Sequence, residues 1–173
     1  WMTKPQRTVL ITGASSGIGK ATAQLLLLHG WKVIAAARRT DAMNDLCASG
    51  AEIIPLDITD IQSRQSLVTH IHEQFGVLDA LVNNAGFGEV GPIETMPIKT
   101  AQSLFEVNVF GLIGLTQMVL PEMRKHGKGR IINVSSIAGR FVTPGSGWYA
   151  ASKYAVEALS DALRLELHQF GIQ

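Results

Sequence analysis

The residues of this chain whose types and spacing best suit chemistry are Tyr149 and Lys153, which lie four positions apart. On one helix they would share a face, one turn apart. The Lys153 ammonium would then stabilise the phenolate form of Tyr149, so that the phenol could act as a general acid or base. Ser136, one loop before this pair, could donate a hydrogen bond to a substrate carbonyl. Such a pair also arises by chance, and a buried Tyr beside a solvated Lys is the plain structural alternative.

Residues 12–19 carry a second chemical signal, because glycine recurs there as G-x-x-x-G-x-G between an apolar run and a helical pattern. Strand, glycine-rich turn and helix form the context of a dinucleotide site, in which a pyrophosphate meets the N–H groups of the helix. Gly13 allows the tight turn, and Gly17 lets the backbone approach the pyrophosphate. Gly19 lets the helix pack closely on the strand. An ordinary Gly/Ser turn between strand and helix is the alternative.

The elements that must position these residues follow from five apolar segments, at residues 9–11, 32–37, 52–56, 79–82 and 130–134. Helical patterns follow them at residues 21–29, 41–49, 61–75, 98–124 and 149–170. The strands lack hydrophobic alternation, which is typical of a parallel sheet covered on both faces. The sequence therefore predicts an α/β fold with a doubly wound parallel sheet and helices on both faces, the Rossmann fold. Pro55 predicts an edge position for the third strand, and Asp60 predicts a helix N-cap.

Polar clusters follow the predicted strands at their carboxyl ends, the edge at which ligands of such sheets bind. The glycine-rich stretch follows the first strand. The later strands are followed by Arg38 and Arg39, by Asp57, by Asn83 and Asn84, and by Ser135 and Ser136. This convergence predicts a ligand site at that edge of the sheet.

Composition narrows the classes of function. With 173 residues, 46% of them hydrophobic and 17% charged, the chain is expected to form one globular domain, with residues 1–7 as a lead-in. A net charge of +1 without a clustered Lys/Arg face predicts no nucleic-acid partner. Cys47 is the single cysteine, so we expect neither an internal disulfide nor a cysteine metal cluster, as suits a reducing compartment. The five His are scattered, and we predict no metal.

We expect no signal peptide and no membrane span, and we predict a cytoplasmic protein. Trp1 precedes Met2 and is left out of the fold reasoning, and a strand begins soon after Arg7. The most apolar run, residues 107–120, contains Asn108 and is too short to cross a bilayer. A buried helix explains this run better.

Taken together, these residues resemble a short-chain dehydrogenase/reductase. The resemblance runs from about residue 8 to the end of the chain and rests on Thr12-Gly13-x-x-x-Gly17-Ile18-Gly19, Asp57, Asn83-Asn84-Ala85-Gly86, Asn108, Ser136 and Tyr149-x-x-x-Lys153. In combination these motifs are highly specific for the family. The resemblance implies an oxidoreductase that transfers a hydride between a nicotinamide cofactor and a carbonyl or secondary alcohol.

The resemblance also assigns catalytic roles. Tyr149 would be the acid or base, and Lys153 would favour its phenolate and bind the nicotinamide ribose. Ser136, chosen over Ser135 by its spacing to Tyr149, would orient the substrate carbonyl. Asn108 would hold a water that relays protons to solvent. A helix residue that bonds to a neighbouring segment is the alternative for Asn108, and both descriptions are compatible.

For the cofactor, Asp57 and Asn84 would frame the adenine and its ribose. The complete set of predicted cofactor-binding residues is Gly13, Ser15, Ser16, Gly17, Ile18, Gly19, Arg38, Arg39, Asp57, Ile58, Asn84, Ala85, Gly86, Tyr149 and Lys153. Members that prefer NAD place an acidic residue at the end of the second strand. Here Arg38 and Arg39 stand there, and two guanidinium groups suit a 2′-phosphate. We therefore expect NADP(H) to be favoured over NAD(H), with a solvated Arg pair as the alternative.

Family members continue past Gln173 into further strands, so the last strands of the family fold are expected to be absent from this chain. The strand at residues 130–134 would then have an uncovered edge. Family members also pair their two long helices with those of a second subunit, which implies a homodimer or homotetramer. Phe141, Val142 and Trp148 form an apolar wall near Tyr149 and weakly favour a hydrophobic substrate.

Several assignments stay open at the level of sequence. The pattern is most similar to hydroxysteroid and retinol dehydrogenase-like members, and a 3-oxoacyl reductase is the nearest rival. A non-catalytic NADP-binding sensor or scaffold is the rival from another class, and an inactive fragment of such an enzyme is a further one.

Overall fold

The computed structural model describes residues 6–173, in which five parallel strands form one sheet. Residues 1–5 lie outside the described part, and with them most of the predicted lead-in and Trp1. The strands are β1 (Thr8–Thr12), β2 (Lys32–Ala37), β3 (Glu52–Pro55), β4 (Ala80–Asn83) and β5 (Arg130–Asn133). Their order is β3-β2-β1-β4-β5, so the direction of winding reverses between β1 and β4. The doubly wound parallel sheet that the sequence predicts is confirmed.

Helices connect the strands. They are α1 (Gly17–Leu28), α2 (Asn44–Ala48), α3 (Ile61–Phe75), α4 (Ile98–Phe105), α5 (Leu112–His126) and α6 (Gly147–Leu167). A π-helical segment, Glu106–Gly111, joins α4 to α5, and short 3-10 turns lie at Asp41–Met43, Ile137–Gly139 and His168–Phe170. The first helix begins at Gly17 and not at residue 21, so its start lies inside the glycine-rich stretch. The helix predicted over residues 98–124 runs to His126, and Pro121 lies inside α5 without ending it.

Both faces of the sheet are buried along its three central strands, β2, β1 and β4. In β1 every residue is buried, and successive side chains point to opposite faces. Leu10 packs in the cluster with side chains of α3 and α5, whereas Val9 and Ile11 pack in the cluster with those of α1 and α2. This double burial is why the strands read as unbroken apolar runs in the sequence.

The predicted signals around β3 are confirmed. β3 is an edge strand, and Pro55 lies at its end, where a missing N–H costs no central ladder bond. Asp60 caps α3 because its carboxylate accepts hydrogen bonds from the backbone N–H groups of Gln62 and Ser63. Gly76 follows the helix with φ of 74°.

At the opposite edge of the sheet, the last two residues pair with the beginning of β5. Gln173 accepts a hydrogen bond from the Ile131 N–H at 2.8 Å, and its own N–H donates to Gly129 O at 3.0 Å. Ile172 forms a parallel bridge with Gly129. The edge that the sequence predicts to be uncovered is therefore paired at its start, and Ile132 beyond it stays 44% exposed.

Residues 98–126 form a helical stretch that is long and apolar enough to cross a membrane by length and composition. In the described structure 44% of its most apolar window is buried inside the protein, with Leu115 and Met123 in the core. A core helix of this kind passes the same test, and the packing agrees with the buried helix that the sequence predicts.

Candidate functional site

The glycine-rich turn is held by groups from the end of β4. The side-chain amide of Asn84 donates to the carbonyl oxygens of Thr12 at 3.0 Å and Gly13 at 3.2 Å. Thr12 Oγ1 accepts hydrogen bonds from the backbone N–H groups of Asn84 and Ala85, both at 3.0 Å. A Cβ on Gly19 would overlap the Asn84 amide. Asn84 therefore fixes the turn with its side chain, a role that the sequence analysis did not give it.

Gly13 and Gly17 are glycines for different local reasons. Both have positive φ, 66° and 55°, which side chains rarely adopt. A Cβ on Gly13 would come within 2.9 Å of Ala85 Cα, whereas a Cβ on Gly17 would meet nothing within 4 Å. The space above Gly17, at the N-terminus of α1, leaves room for an anion beside the free N–H groups of the helix.

A cavity of about 540 Å³ opens at the carboxyl ends of β1, β2 and β4 and at the loop after β3. Predicted cofactor residues that line it are Gly13, Ser15, Ser16, Ile18, Arg38, Arg39, Asp57, Ile58, Asn84, Ala85 and Gly86. Sequence reasoning missed the lining residues Ala37, Leu56, Thr59, Phe87 and Val107. Each of them is next to a predicted site residue in the sequence, which was the available signal, and Val107, next to Asn108, enters from the π-helical segment. Gly17, Gly19, Tyr149 and Lys153 do not line this cavity.

The loop after β3 presents a structured carboxylate. Asp57 Oδ1 accepts hydrogen bonds from the Thr59 hydroxyl at 2.7 Å and from the Thr59 N–H at 3.0 Å. These two bonds, the hydroxyl's first, hold the pKa of Asp57 below its ordinary value, and the charges of Arg38 and Arg64 act in the same direction. Asp57 is exposed, so its carboxylate is charged and accessible at neutral pH.

Arg38 and Arg39 extend the cavity at the end of β2. Both line it and both are exposed. Neither forms an ion pair with a carboxylate of residues 6–173. Their guanidinium groups are therefore available to an anion at this end of the cavity.

Tyr149 and Lys153 lie on the first turns of α6, as their spacing predicts. Lys153 is 7% exposed, and its Nζ donates to Val134 O at the end of β5, at 3.0 Å. Nζ lies 5.9 Å from the centroid of the half-buried Tyr149 ring. Burial lowers the pKa of Lys153, because the charged ammonium loses water that one carbonyl only partly replaces.

Asn108 links three segments around this pair. Its Oδ1 accepts from the Phe87 N–H at 3.1 Å, and its Nδ2 donates to Phe87 O at 2.9 Å and to Ser152 Oγ at 3.1 Å. Ser152 Oγ in turn donates to the carbonyl of Tyr149 at 2.7 Å. Both amide hydrogens of Asn108 are thus used within the protein, so a relay water on this side chain would have to share Oδ1, close to Gly86. Ser152 was missed by sequence reasoning.

Ser136 stands at the end of the β5 segment, as predicted. Its Oγ accepts a hydrogen bond from the Ala138 N–H at 3.2 Å and caps the 3-10 turn that follows. Because the hydroxyl is used there as an acceptor, its hydrogen is free to be donated to a substrate oxygen. Ser135 Oγ is buried without a partner in residues 6–173, so it packs inside the protein.

Two loops flank Tyr149 and are joined to each other. The N–H of Gly91 donates to Gly145 O at 2.8 Å. A Cβ on Gly88 would lie 3.4 Å from the Tyr149 ring, so this loop passes directly over the phenol. Phe141 is 62% exposed on the second loop. No group of three His, Cys, Asp or Glu side chains in residues 6–173 is arranged to hold a metal ion.

Comparison with known proteins gives this geometry a family context. The family model described as "short chain dehydrogenase" matches residues 7–173. The chain is 42% identical over 172 residues to the uncharacterized oxidoreductase YbbO of Escherichia coli (strain K12), covering 97% of this chain and 63% of that protein. The chain thus spans somewhat under two thirds of the length of the curated relatives it matches.

Solved structures of this family have the same fold as this chain. A short-chain dehydrogenase from Streptomyces avermitilis superimposes with a TM-score of 0.96 at 40% identity, covering 99% of this chain and 64% of that one. A gluconate 5-dehydrogenase from Burkholderia cenocepacia J2315, solved with NADP and tartrate, superimposes with a TM-score of 0.90 at 28% identity. The match covers 96% of this chain and 68% of that one.

The burial of Lys153 predicts a pH dependence of stability. Since its pKa is lowered on folding, the unfolded state binds more protons between the folded pKa and the ordinary lysine value, and the free energy of unfolding rises with pH across that window. The free energy of unfolding of the wild type, minus that of Lys153→Met, should therefore increase across this alkaline window. Urea unfolding at a series of pH values measures it. The exposed Lys125→Met is the control, and a difference for Lys153→Met that does not change with pH would contradict the prediction.

Proposed function

The chain belongs to the short-chain dehydrogenase family, and from that premise we propose that it transfers a hydride between NADP(H) and a carbonyl or secondary alcohol. The observation that carries the proposal is the position of Lys153, which lies one helical turn from Tyr149, donates to Val134 O just after β5 at 3.0 Å and has its Nζ beside Gly86 of the cavity lining. We further propose that residues 8–173 act as one dinucleotide-binding domain in a cytoplasmic protein.

The cavity fits a dinucleotide. The open space above Gly17 and the free N–H groups at the start of α1 suit a pyrophosphate. Asp57 and Ile58 line the part of the cavity that would receive the adenine, and Arg38 and Arg39 line the part that would receive a 2′-phosphate. When bound, the cofactor supplies or accepts the hydride.

The protein's own residues would manage the proton. In carbonyl reduction, Tyr149 donates its phenolic proton to the substrate oxygen, and in alcohol oxidation it removes that proton. The buried ammonium of Lys153 stabilises the phenolate that this leaves. Ser136 donates a hydrogen bond to the same oxygen, because its acceptor side is already satisfied by Ala138. Asn108 fixes the two segments that carry Gly86 and Tyr149.

For the substrate we propose a hydrophobic carbonyl or alcohol. Phe141 and Val142 are more than half exposed on the loop before Tyr149, and Ile93 is 64% exposed on the loop that crosses its ring. Apolar groups exposed around a polar catalytic centre favour a substrate that covers them.

Tyr149→Phe tests the catalytic role. The change removes the proton donor and leaves the ring packing nearly intact, so NADPH-dependent reduction of medium-chain ketones and aldehydes should be lost while NADPH binding is kept. Reduction is followed by the loss of NADPH absorbance, and NADPH binding is measured by cofactor fluorescence titration. Tyr154→Phe, on the exposed side of the same helix, is the matched control and should reduce normally. Turnover of Tyr149→Phe close to that of the wild type would contradict the proposed role of Tyr149 as the proton donor.

The cofactor preference has its own test. A charge-assisted contact from one Arg to the 2′-phosphate is worth about 1.5–3 kcal/mol. That amounts to about ten- to a hundredfold in affinity. Arg38→Ala or Arg39→Ala should therefore weaken NADPH binding far more than NADH binding. Ala37→Asp should shift the preference towards NADH, because a carboxylate repels the phosphate and accepts from the 2′-hydroxyl. Arg164→Ala serves as control, and equal losses for both cofactors in all three variants would indicate a merely solvated Arg pair.

We also propose a homodimer or homotetramer built on the two long helical stretches, residues 98–126 and α6. Phe110 and Tyr154 are exposed large side chains on this helical surface, and Ala158 beside them is exposed too. Gly111 and Gly114, by contrast, face Ile58 and Arg64 within the chain, so they are not free for a partner. Multi-angle light scattering at micromolar concentration should give at least twice the chain mass, and a monomer would count against the proposal.

A further inference from the structure

The loop that follows β3 is hydrogen-bonded to side chains of the first turn of α3. Arg64 Nη1 donates to the carbonyl oxygen of Ile58 at 2.6 Å, and Ser63 Oγ accepts from the N–H of Asp57 at 3.0 Å. Two adjacent helix residues thus hold two successive residues of the loop. Arg64 reaches the loop from inside the protein, whereas Asp57 and Ile58 face the cavity.

Two glycines make room for this contact. A Cβ on Gly111 would lie 2.7 Å from Ile58 O, so the loop rests directly on the end of the π-helical segment. A Cβ on Gly114, one turn further on, would lie 3.1 to 3.2 Å from Nε, Nη2 and Cζ of Arg64. The guanidinium group therefore lies flat against bare helix backbone.

Stability alone does not favour a guanidinium in this place. Arg64 Nε is buried without a hydrogen-bond partner, and no carboxylate of residues 6–173 forms an ion pair with the group. A buried donor without a partner costs free energy, and this cost offsets part of what the bond from Nη1 to Ile58 O contributes. What the group does provide is a charged donor fixed on one loop carbonyl.

The loop so held presents a specific pattern to the cavity. The hydrogen bonds that the Asp57 carboxylate accepts within residues 6–173 both go to Oδ1, which leaves Oδ2 as a free acceptor. The N–H of Ile58 has no partner in the same residues and is a free donor. One acceptor beside one donor complements the amino group and the adjacent ring nitrogen of an adenine, and not the oxo group and N–H of a hypoxanthine.

We infer that Arg64 is a positioning residue that sets the adenine selectivity of the cofactor site by fixing the Asp57–Ile58 segment of this loop. The inference rests on the proposed function, because it needs a dinucleotide in the cavity. Arg64 does not line the cavity and acts through the Ile58 carbonyl.

The first arm of the test uses the protein without cofactor. Arg64→Met keeps a side chain of similar length and removes the donor. Hydrogen exchange followed by mass spectrometry should then show faster exchange in a peptide containing residues 57–60, by more than any change in peptides from the rest of the core, because the Ile58 carbonyl loses its donor. Arg164→Met makes the same chemical change on the exposed face of α6 and should leave that peptide at the wild-type rate. Wild-type exchange in Arg64→Met would overturn the inference whether or not the protein binds a dinucleotide.

The second arm compares NADPH with its hypoxanthine analogue, deamino-NADPH. The wild type should bind NADPH the more tightly, and Arg64→Met should lose about tenfold in NADPH affinity, as for one charge-assisted hydrogen bond. The affinity for the analogue should fall little, so that the ratio of the NADPH affinity to the analogue affinity decreases. Equal losses for both ligands would mean a general structural role and would overturn the inference. Failure of the wild type to bind either ligand would refute the proposed function instead.

Gly114→Ala provides an independent perturbation of the same contact. The added methyl group displaces the guanidinium by a few tenths of an ångström, so the affinity ratio should move in the same direction as in Arg64→Met, but less. In the Arg64→Met background the methyl group meets no guanidinium, and Gly114→Ala should then change the ratio no further. Additive effects of the two substitutions would contradict the assignment, because independent sites add and coupled ones do not.

Discussion

The site depends on one set of hydrogen bonds between the ends of two central strands. Thr12 and Asn84 bind each other's backbone, and the Asn84 amide reaches the Gly13 carbonyl below the glycine-rich turn. These bonds close the sheet where its winding reverses. With the turn fixed, α1 must start at Gly17 and direct its N-terminal N–H groups at the cavity. If the turn could move, the proposed anion site would move with it, so two strand ends and one amide fix the position of that site.

A second constraint joins the cavity to the residues that we propose to be catalytic. Asn108 lies where the π-helical segment interrupts the long helix, and its amide contacts both the segment after β4 and the start of α6. The side chain is 1% exposed, and both of its N–H groups have partners. In a site of low dielectric, such a satisfied network is rigid. Asn108 therefore links the cavity wall at Phe87 to the turn of α6 that carries Tyr149.

Much of this arrangement follows from the sequence because its causes are local. Apolar runs predicted the five strands to within a residue or two, and the signal is strongest for β1, β2 and β4, which are buried on both faces. Pro55 and Asp60 predicted an edge and a cap from the chemistry of one residue each. The role of Asn84 was not predictable in the same way, because it depends on a contact with residues about seventy positions earlier. The same holds for Ser152, and for Gly111 and Gly114, whose neighbours Ile58 and Arg64 come together only when α3 packs on α5. The π-helical segment leaves no mark in the apolar periodicity.

The bond between Gly91 and Gly145 has a consequence for how such a site can diversify. It joins the two loops around the phenol through backbone atoms alone. Nearly every side chain on either loop can therefore be exchanged without breaking the link, as long as Gly145 keeps its positive φ. Related chains can then differ widely in the walls that meet the substrate and still share the same frame. A comparison of their sequences would show that the loop side chains vary. It would not show the hydrogen bond between the loops, because a bond between two peptide groups requires no particular side chain.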